Sequence, residues 1–135
     1  MKIKKHTYKS KLLVISNESI LVLEKNKKKK RFVLAGGVLK KEESPEEGLI
    51  REVYEETGVV VDLDDIKYFS STTIINKKKR ALTRHYFLLL VNGQQFENKE
   101  PTNFKSLQWI EWKRAVKYIN PCDKNTIERF FNKNY

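Results

Sequence analysis

Short apolar runs, many of them alternating with polar residues, recur along most of the chain and predict a protein rich in β-strands. Polar or basic turns separate these runs, as expected for hairpins. Gly36 and Gly37 are expected to break the first meander. We predict extended segments over residues 12–16, 20–24, 31–35, 59–61, 66–75, 82–91 and 104–112.

One helix has a clear start and stop in the sequence. Ser44 is placed to accept a hydrogen bond from the backbone of Glu47, and Pro45 suits the first helical position because it has no amide hydrogen. The helix is predicted to run from Pro45 to Thr57 and to end at Gly58.

Two further helices are predicted near the end of the chain, over residues 114–119 and 123–132, separated by Asn120 and Pro121. Strands and helices therefore do not alternate strictly. This order favours an α+β fold, with helices packed on a mixed sheet, over a doubly wound parallel sheet.

Length and composition narrow the class of protein. With 135 residues, we expect one domain over residues 1–135. No apolar run approaches the roughly 20 residues that span a bilayer, so no membrane association and a cytoplasmic location are expected. One cysteine, Cys122, and two histidines cannot build a Cys/His zinc site, so oxygen atoms must hold any metal.

The chain is strongly basic, with 28 Lys and Arg against 17 Asp and Glu and a net charge of +11. Such a charge favours a polyanionic partner, either a nucleotide or a nucleic acid. The basic residues concentrate in two predicted turns, residues 25–31 and 77–80. The alternative is that these lysines are only solvated turn tips.

The predicted first helix carries a cluster of acids beside its apolar stripe. Glu52, Glu55 and Glu56 project from one face, where their like charges repel. Arg51 is placed to neutralise part of this charge by reaching Glu55 and Glu43. Two interpretations remain at this point, a solvated acidic face and a site for a hard divalent cation that takes carboxylate oxygens.

A longer motif surrounds these acids. Gly37 is followed after five residues by Glu43, and after seven more by the run Arg51-Glu52-Val53-Tyr54-Glu55-Glu56-Thr57-Gly58-Val59. This stretch resembles the Nudix box at every defining position. The resemblance implies an α/β/α sandwich and an enzyme that hydrolyses a nucleoside diphosphate linked to another group.

The resemblance also implies roles for individual residues. Glu52, Glu55 and Glu56 correspond to metal ligands, with the Gly37 carbonyl as a further ligand and Glu52 as the favoured general base. Arg51 and Glu43 correspond to the pair that orients these groups. The implied cofactor is Mg²⁺, with Mn²⁺ as an alternative. In some members a later loop supplies a base or ligand, for which the candidates here are Glu97 and Glu100.

The substrate class is inferred by exclusion. Residues 70–80 lack the tyrosine typical of the dinucleoside polyphosphate branch and the proline typical of the ADP-ribose branch. What remains is a MutT-like enzyme that converts a nucleoside or deoxynucleoside triphosphate to the monophosphate and pyrophosphate. The alternatives are an RNA 5′-end pyrophosphohydrolase, favoured by the charge, and a non-catalytic nucleotide- or RNA-binding domain.

Two residues outside the motif are candidates for substrate binding. Asp123, near the start of the last predicted helix, occupies the region where MutT-like members that favour particular purines contact the base. Its alternative role is that of a helix N-cap, since Asp is a good capping residue. Arg84, on the strand predicted over residues 82–91, is the second candidate. The oligomeric state is left open.

Overall fold

A mixed β-sheet forms the centre of the structure, a computed structural model that describes residues 2–134. The strands are β1 (Lys5–Ser16), β2 (Ser19–Lys25), β3 (Phe32–Val33), β4 (Ala35–Val38), β5 (Lys67–Ile75), β6 (Arg80–Leu90) and β7 (Phe104–Glu111). They follow the order β3-β2-β1-β6-β5, with β4 on β1 and β7 on β2. Strands β1 and β6 are parallel and the other pairs are antiparallel.

Helices cover both faces of this sheet. They are α1 (Pro45–Thr57), α2 (Trp112–Ala115) and α3 (Pro121–Asn134), with short 3-10 turns at Leu63–Asp65 and Val116–Tyr118. Alternate residues of β1 point to opposite faces, so Leu12 packs in a core with Leu49 of α1, whereas Leu13 packs in a second core with Ile127 of α3. The predicted α+β sandwich with a mixed sheet is confirmed.

Helix α1 has the bounds that its local sequence predicts. Ser44 Oγ accepts a hydrogen bond of 3.0 Å from the Glu47 amide, and the Glu47 carboxylate accepts one of 2.8 Å from the Ser44 amide. Gly58 ends the helix with φ of +77°, a left-handed conformation that a residue without Cβ adopts at little cost. The acids of α1 are therefore held on a helix with a fixed start and end.

Strand β1 begins seven residues earlier than its apolar run, at Lys5 instead of residue 12. His6, which precedes the first predicted strand, therefore lies within β1, and its ring Nε2 is 2.7 Å from the Thr83 hydroxyl. The physical reason is parallel pairing with β6, which runs from Lys5 opposite Arg80 to Ile15 opposite Leu90. The composition of residues 5–11 does not indicate this pairing, because β6 lies about 75 residues further along the chain.

Gly36 and Gly37 do not break the sheet, contrary to the expectation from their sequence. They lie within β4 and pair with Lys11 and Ser10 of β1. A Cβ at Gly36 would lie 2.0 Å from the Ser10 carbonyl oxygen, so the close approach of the two strands requires glycine. The pairing brings the Gly37 backbone to the edge of α1.

Candidate active site

A cleft of about 790 Å³ opens where β4, α1 and the start of α3 meet. One wall is acidic and the other is basic. The acidic lining residues are Glu52, Glu55, Glu56, Glu100 and Asp123, and the basic ones are Lys9, Lys11, Lys25, Lys27, Arg31 and Arg84. The cleft therefore combines carboxylates with cations that suit phosphate groups.

Arg51 binds three acids, Glu43, Glu52 and Glu55. Its Nε and Nη2 donate to the two oxygens of Glu43, at 2.7 and 3.0 Å. Its Nη1 donates to Glu52 at 3.0 Å and to Glu55 at 2.9 Å. The remaining contact, 3.1 Å from Nη2 to the Val38 carbonyl, fixes the guanidinium to β4. Only a planar group with several donors can hold these acids together.

Glu43 is the best-held carboxylate of this network. The Arg51 guanidinium and the Lys40 amide, which donates to Glu43 at 2.8 Å, together lower the pKa of Glu43 to about 2. The same pair raises the pKa of Arg51 above its ordinary value, chiefly through the hydrogen bonds to Glu43. Glu43 is therefore ionised throughout the neutral range.

Glu56 lies deeper in the cleft and is almost fully buried. Its Oε1 accepts a hydrogen bond of 2.8 Å from the Gly36 amide. Burial raises the pKa of Glu56 to about 8, which outweighs the opposing effects of that hydrogen bond and of the Lys11 ammonium. A carboxylate in this position gains from a nearby cation, because a cation offsets the loss of hydration.

Glu52 is pressed against the backbone of the Gly-Gly strand. A Cβ at Gly37 would lie 2.7 Å from both Cδ and Oε2 of Glu52, so any larger residue would displace the carboxylate. This contact, with the Gly36 hydrogen bond to Glu56, places the two acids beside the same two glycines. The position of β4 thus sets the position of the acids.

The donor set of this wall suits a hard divalent cation. It consists of carboxylate oxygens and a nearby backbone carbonyl, which are the ligands that Mg²⁺ and Ca²⁺ prefer. Within residues 2–134, however, no three His, Cys, Asp or Glu side chains lie close enough together to hold a metal ion. Glu52 and Glu55 instead direct their Oε1 atoms to Arg51.

The opposite wall comes from β1 and β6. Their parallel register sets Lys9 beside Arg84 and Lys11 beside Tyr86, on the face of the sheet that also carries Leu13. Lys11 donates to the Leu34 carbonyl at 3.3 Å, and burial lowers its pKa. Lys9 also has a lowered pKa, because of burial and the neighbouring Lys11 charge.

Asp123 lies fully buried at the end of the cleft, in the first turn of α3. The Tyr86 hydroxyl donates to its Oδ1 at 2.6 Å, and Arg84 Nε lies 3.8 Å from the same oxygen. Asp123 Oδ2 and Arg84 Nε are buried without a hydrogen-bond partner among the residues described. Buried polar atoms in this state have unused capacity for a ligand.

The alternative role of Asp123 as the N-cap of α3 is wrong. Asn120 precedes the helix and its Oδ1 accepts a hydrogen bond of 2.9 Å from the Asp123 amide, which is the contact a capping side chain makes. Asp123 is the third residue of α3 and its carboxylate turns inward to Tyr86. Its side chain thus does not cap the helix.

The remaining candidates divide between the cleft and the surface. Glu100 lines the cleft, whereas the exposed Glu97 forms an ion pair of 2.9 Å with Lys99. Of the two basic turns, the one between β2 and β3 contributes Lys25, Lys27 and Arg31 to the cleft. The other lies in the hairpin between β5 and β6, outside the cleft lining.

Sequence reasoning missed Lys9 and Lys11 of the basic wall, and also Tyr86, which is buried and contacts Asp123. The signal that could have found the lysines is their period of two with Leu13, which continues the strand pattern toward the N-terminus. Nothing local marks Tyr86 as the partner of Asp123, because that contact joins residues 37 positions apart.

None of the helices in the described part of the chain is long and apolar enough to cross a bilayer.

Comparisons with known proteins agree with this geometry. A family model described as NUDIX domain matches residues 9–130. No curated protein sequence matches the chain. Among solved structures, the MutT NUDIX hydrolase from Burkholderia pseudomallei has a TM-score of 0.79 at 15% identity, with 93% of this chain and 98% of that chain covered.

Two other solved structures share the fold. The E. coli dihydroneopterin triphosphate pyrophosphohydrolase has a TM-score of 0.73 at 15% identity, with 96% of this chain and 97% of that chain covered. A C. elegans Ap4A hydrolase has a TM-score of 0.68 at 14% identity, with coverages of 96% and 99%. The names of these proteins refer to different substrates, so the likeness supports a common fold and leaves the substrate of this chain to be argued from its cleft.

Proposed function

This chain belongs to the Nudix family of pyrophosphate-bond hydrolases, and we propose that it is a Mg²⁺-dependent enzyme converting a nucleoside or deoxynucleoside triphosphate to the monophosphate and pyrophosphate. The observation that carries this proposal is the cleft itself, in which the acids of α1 face Lys9, Lys11 and Arg84. A triphosphate requires both walls, since its charge must be neutralised while water attacks phosphorus.

The acidic wall would hold the cofactor. Glu52, Glu55 and Glu56, with the Gly37 carbonyl, are the proposed ligands of Mg²⁺, and Mn²⁺ is an alternative for the same oxygen donors. When bound, the ion would neutralise the charge of the phosphate oxygens. It would also polarise the phosphorus–oxygen bonds, which makes the phosphorus more electrophilic. The residues fit this role by chemistry and by their common position beside the Gly36-Gly37 strand.

The chain's own residues carry the other steps. Glu52 is the proposed general base that takes the proton of the attacking water. Arg51, held by both oxygens of Glu43, positions Glu52 and Glu55 through its Nη1. This role needs rigidity, because a small displacement of a catalytic group costs a large factor in rate.

The basic wall and the start of α3 would bind the substrate. Lys9, Lys11 and Arg84 are placed to contact phosphate oxygens. Asp123 Oδ2, buried and without a partner in residues 2–134, is the proposed acceptor for an N–H group of the base. We further propose that residues 1–135 act as one catalytic domain in the cytoplasm, consistent with a family match over residues 9–130.

A second candidate substrate is the triphosphorylated 5′ end of RNA. The observation that favours it is the basic turn between β2 and β3, which adds Lys25, Lys27 and Arg31 to the lining of the cleft. An RNA chain leaving the cleft would place its next phosphates beside this turn. Binding of RNA would then weaken steeply with salt, whereas turnover of a free nucleotide would weaken only modestly.

The proposal is tested by a hydrolysis screen with product identification. The panel contains nucleoside triphosphates, oxidised nucleotides, dinucleoside polyphosphates and triphosphorylated RNA, each with Mg²⁺ and with a chelator. We expect monophosphate and pyrophosphate from a free nucleotide, and no turnover with chelator. Hydrolysis of RNA alone would favour the second candidate. Binding of nucleotides without hydrolysis of any substrate would contradict both.

Variants of the acids locate the reaction in this cleft. Glu52→Gln and Glu56→Gln should each lower kcat by several orders of magnitude, and Glu46→Gln, on the first turn of α1, serves as the matched control. High Mg²⁺ or Mn²⁺ should partly restore a variant that has lost a ligand but not one that has lost the base. Full activity of both acid variants would refute the assignment of the site.

A further inference from the structure

A second groove, of about 830 Å³, lies on the sheet face that carries α1, whereas Lys9, Lys11 and Arg84 line the cleft from the opposite face. We call it the aromatic groove and define it by Lys5, His6, Tyr8, Lys40, Lys41 and His85, which are among its lining residues. Val38 lines both the aromatic groove and the cleft, so the two join at the end of β4.

The groove exists because α1 covers only part of its sheet face. The first residue of α1, Pro45, accepts a hydrogen bond of 2.8 Å from the Ser10 hydroxyl and lies at the edge of the groove. Further along β1, Leu12 and Val14 are buried beneath the helix. Before Ser10, the same face of β1 bears His6 and Tyr8, which are exposed and have no helix above them among residues 2–134.

Aromatic rings stand side by side on this uncovered face. The rings of His6 and Tyr8 stack at 4.2 Å with an interplanar angle of 5°, and those of Tyr8 and His85 are nearly parallel, at 8°. The Tyr68 hydroxyl lies 3.1 Å from His85 Nδ1 and extends the row onto β5. Tyr8 is 42% exposed and Tyr68 is 47% exposed, so part of each ring is accessible to a flat ligand even though His6 already stacks on Tyr8.

The charge around these rings is mainly positive. Lys5, Lys40 and Lys41 line the groove together with Glu42 and Glu43, and the Glu43 carboxylate is already paired with Arg51. Lys5 and Arg80 lie opposite each other in the backbone register of β1 and β6, at the start of both strands.

The second basic turn continues this positive surface. The Lys4 amide donates to the Lys79 carbonyl at 2.8 Å, so the hairpin of residues 77–80 lies directly beside the beginning of β1. Lysines thus lie on the hairpin beside the start of β1 and in the loop after β4. The expected ligand has stackable rings and a repeating negative charge.

We propose that the aromatic groove and the adjoining Tyr68 bind single-stranded nucleic acid, with bases stacked on Tyr8 and Tyr68 and phosphates bound by Lys40 and Lys41. Proteins that bind single strands without sequence preference use this combination of aromatic rings and cations. The proposal goes beyond hydrolysis in the cleft, because it requires neither a triphosphate nor a metal ion.

Fluorescence anisotropy with two labelled probes of about ten nucleotides, oligouridine and oligothymidine with 5′-hydroxyl ends, tests the proposal. Neither probe carries a triphosphate for the cleft. We expect both to bind, because stacking and phosphate contacts require neither the ribose hydroxyl nor the thymine methyl group. Tyr8→Ala and Tyr68→Ala should each raise Kd by about 5- to 100-fold. Tyr8→Phe, which keeps the ring, should bind like the wild type.

The control for the ring variants is Tyr54→Ala, since Tyr54 is a 54% exposed tyrosine on α1 that belongs neither to the groove lining nor to the row of rings formed by His6, Tyr8, His85 and Tyr68. The charge is tested with the pair Lys40→Ser and Lys41→Ser against the pair Lys117→Ser and Lys133→Ser. The first pair should reduce the slope of log affinity against log salt by about 1.4, as expected for two lost phosphate contacts. The second pair should leave the slope unchanged.

Three results would overturn the proposal: no binding of either probe by the wild type at about 50 mM salt, wild-type affinity in both alanine variants, or equal affinity for a duplex whose bases cannot stack on protein. Thermal unfolding of each variant verifies that it is folded. Because Tyr8→Ala should leave hydrolysis of a free nucleotide within about twofold, failure of this proposal is distinguishable from failure of the proposed hydrolase activity.

Discussion

The Tyr86 hydroxyl donates a hydrogen bond of 2.6 Å to Asp123 Oδ1 and leaves the other carboxylate oxygen, Oδ2, buried and without a partner in the described chain. Burial and the Asp123 charge both raise the pKa of Tyr86, so the phenol keeps its proton and remains the donor. One oxygen of Asp123 therefore fixes the side chain, and the other has unused hydrogen-bonding capacity in a residue that lines the cleft.

Because the two oxygens of Asp123 have different roles, we predict that this residue affects which base is selected. Asp123→Asn keeps the shape of the side chain but removes its charge and one acceptor. The preference among purine triphosphates should shrink by roughly 1–3 kcal/mol, measured as ratios of kcat/KM. Tyr86→Phe is the companion variant, and it should lower stability while Oδ2 remains available. An unchanged ranking of nucleotides in Asp123→Asn would exclude Asp123 from recognition.

The network around Arg51 predicts that lysine cannot replace this arginine. Lysine carries one point charge and cannot contact Glu43 with two donors while also holding Glu52, Glu55 and the Val38 carbonyl. Arg51→Lys should lower kcat by about 10- to 100-fold with a smaller effect on KM. Arg129→Lys, on α3 above the Phe69 ring, is the matched control. Equal kinetics in the two variants would argue against a positioning role for Arg51.

The pKa of Glu43 predicts how acid affects stability. Its folded value of about 2 lies below the value of roughly 4.3 expected when unfolded. The ionised form therefore stabilises the fold above the unfolded pKa, and this contribution is lost as the pH falls from roughly 4.3 through about 2. Glu43→Gln should lower the free energy of unfolding by about 1 kcal/mol at neutral pH, a discounted figure for a pair at the surface.

Urea unfolding of both proteins across this range measures the effect. The difference between wild type and Glu43→Gln should close as the pH falls through about 2, below which both side chains are neutral. A difference that stays constant with pH would mean that packing, and not the charge of Glu43, stabilises the loop.

Much of the acidic wall follows from local sequence, and little of the basic wall does. The bounds of α1 depend on Ser44, Pro45 and Gly58, whose effects act within a few residues. Once the helix is placed, the spacing of Glu52, Glu55 and Glu56 puts them on one side. The basic wall depends instead on the pairing of β1 with β6, which joins Lys9 to a strand about 75 residues away.

The same difference explains the errors. Local sequence does not distinguish the two tryptophans near the end of β7, yet Trp112 is buried in the core, whereas Trp109 is 42% exposed and packs edge-on against Phe96. The surroundings of the two residues differ, and they are set by neighbouring strands and not by the local sequence. Gly36 and Gly37 were expected to end a strand because glycine is a poor strand former, yet the close approach of β1 requires them there.

The contact between Gly37 and Glu52 yields a prediction that separates geometry from stability. In Gly37→Ala the new Cβ would lie 2.7 Å from the Glu52 carboxyl group, which would have to move. We expect kcat to fall by about 10²-fold, as for other small displacements of catalytic groups, with little change in the melting temperature. Adding Glu52→Asp, which shortens the acid, should restore part of the activity. A fully active Gly37→Ala would show that the Glu52 position is not critical.

The two basic turns should differ in their effect on a free nucleotide, because only the one between β2 and β3 lines the cleft. Removing Lys25 and Lys27 takes two positive charges from the wall that would face the phosphates. The double variant Lys25→Ser and Lys27→Ser should raise KM for a nucleoside triphosphate by about fivefold to tenfold and weaken its dependence on salt, with kcat nearly unchanged.

The matched control is Lys77→Ser with Lys78→Ser, which removes the same charge from the β5–β6 hairpin and should leave KM as it is. Steady-state kinetics at low and at physiological salt measure both. Equal changes in the two double variants would mean that these lysines act only through the net charge of the protein.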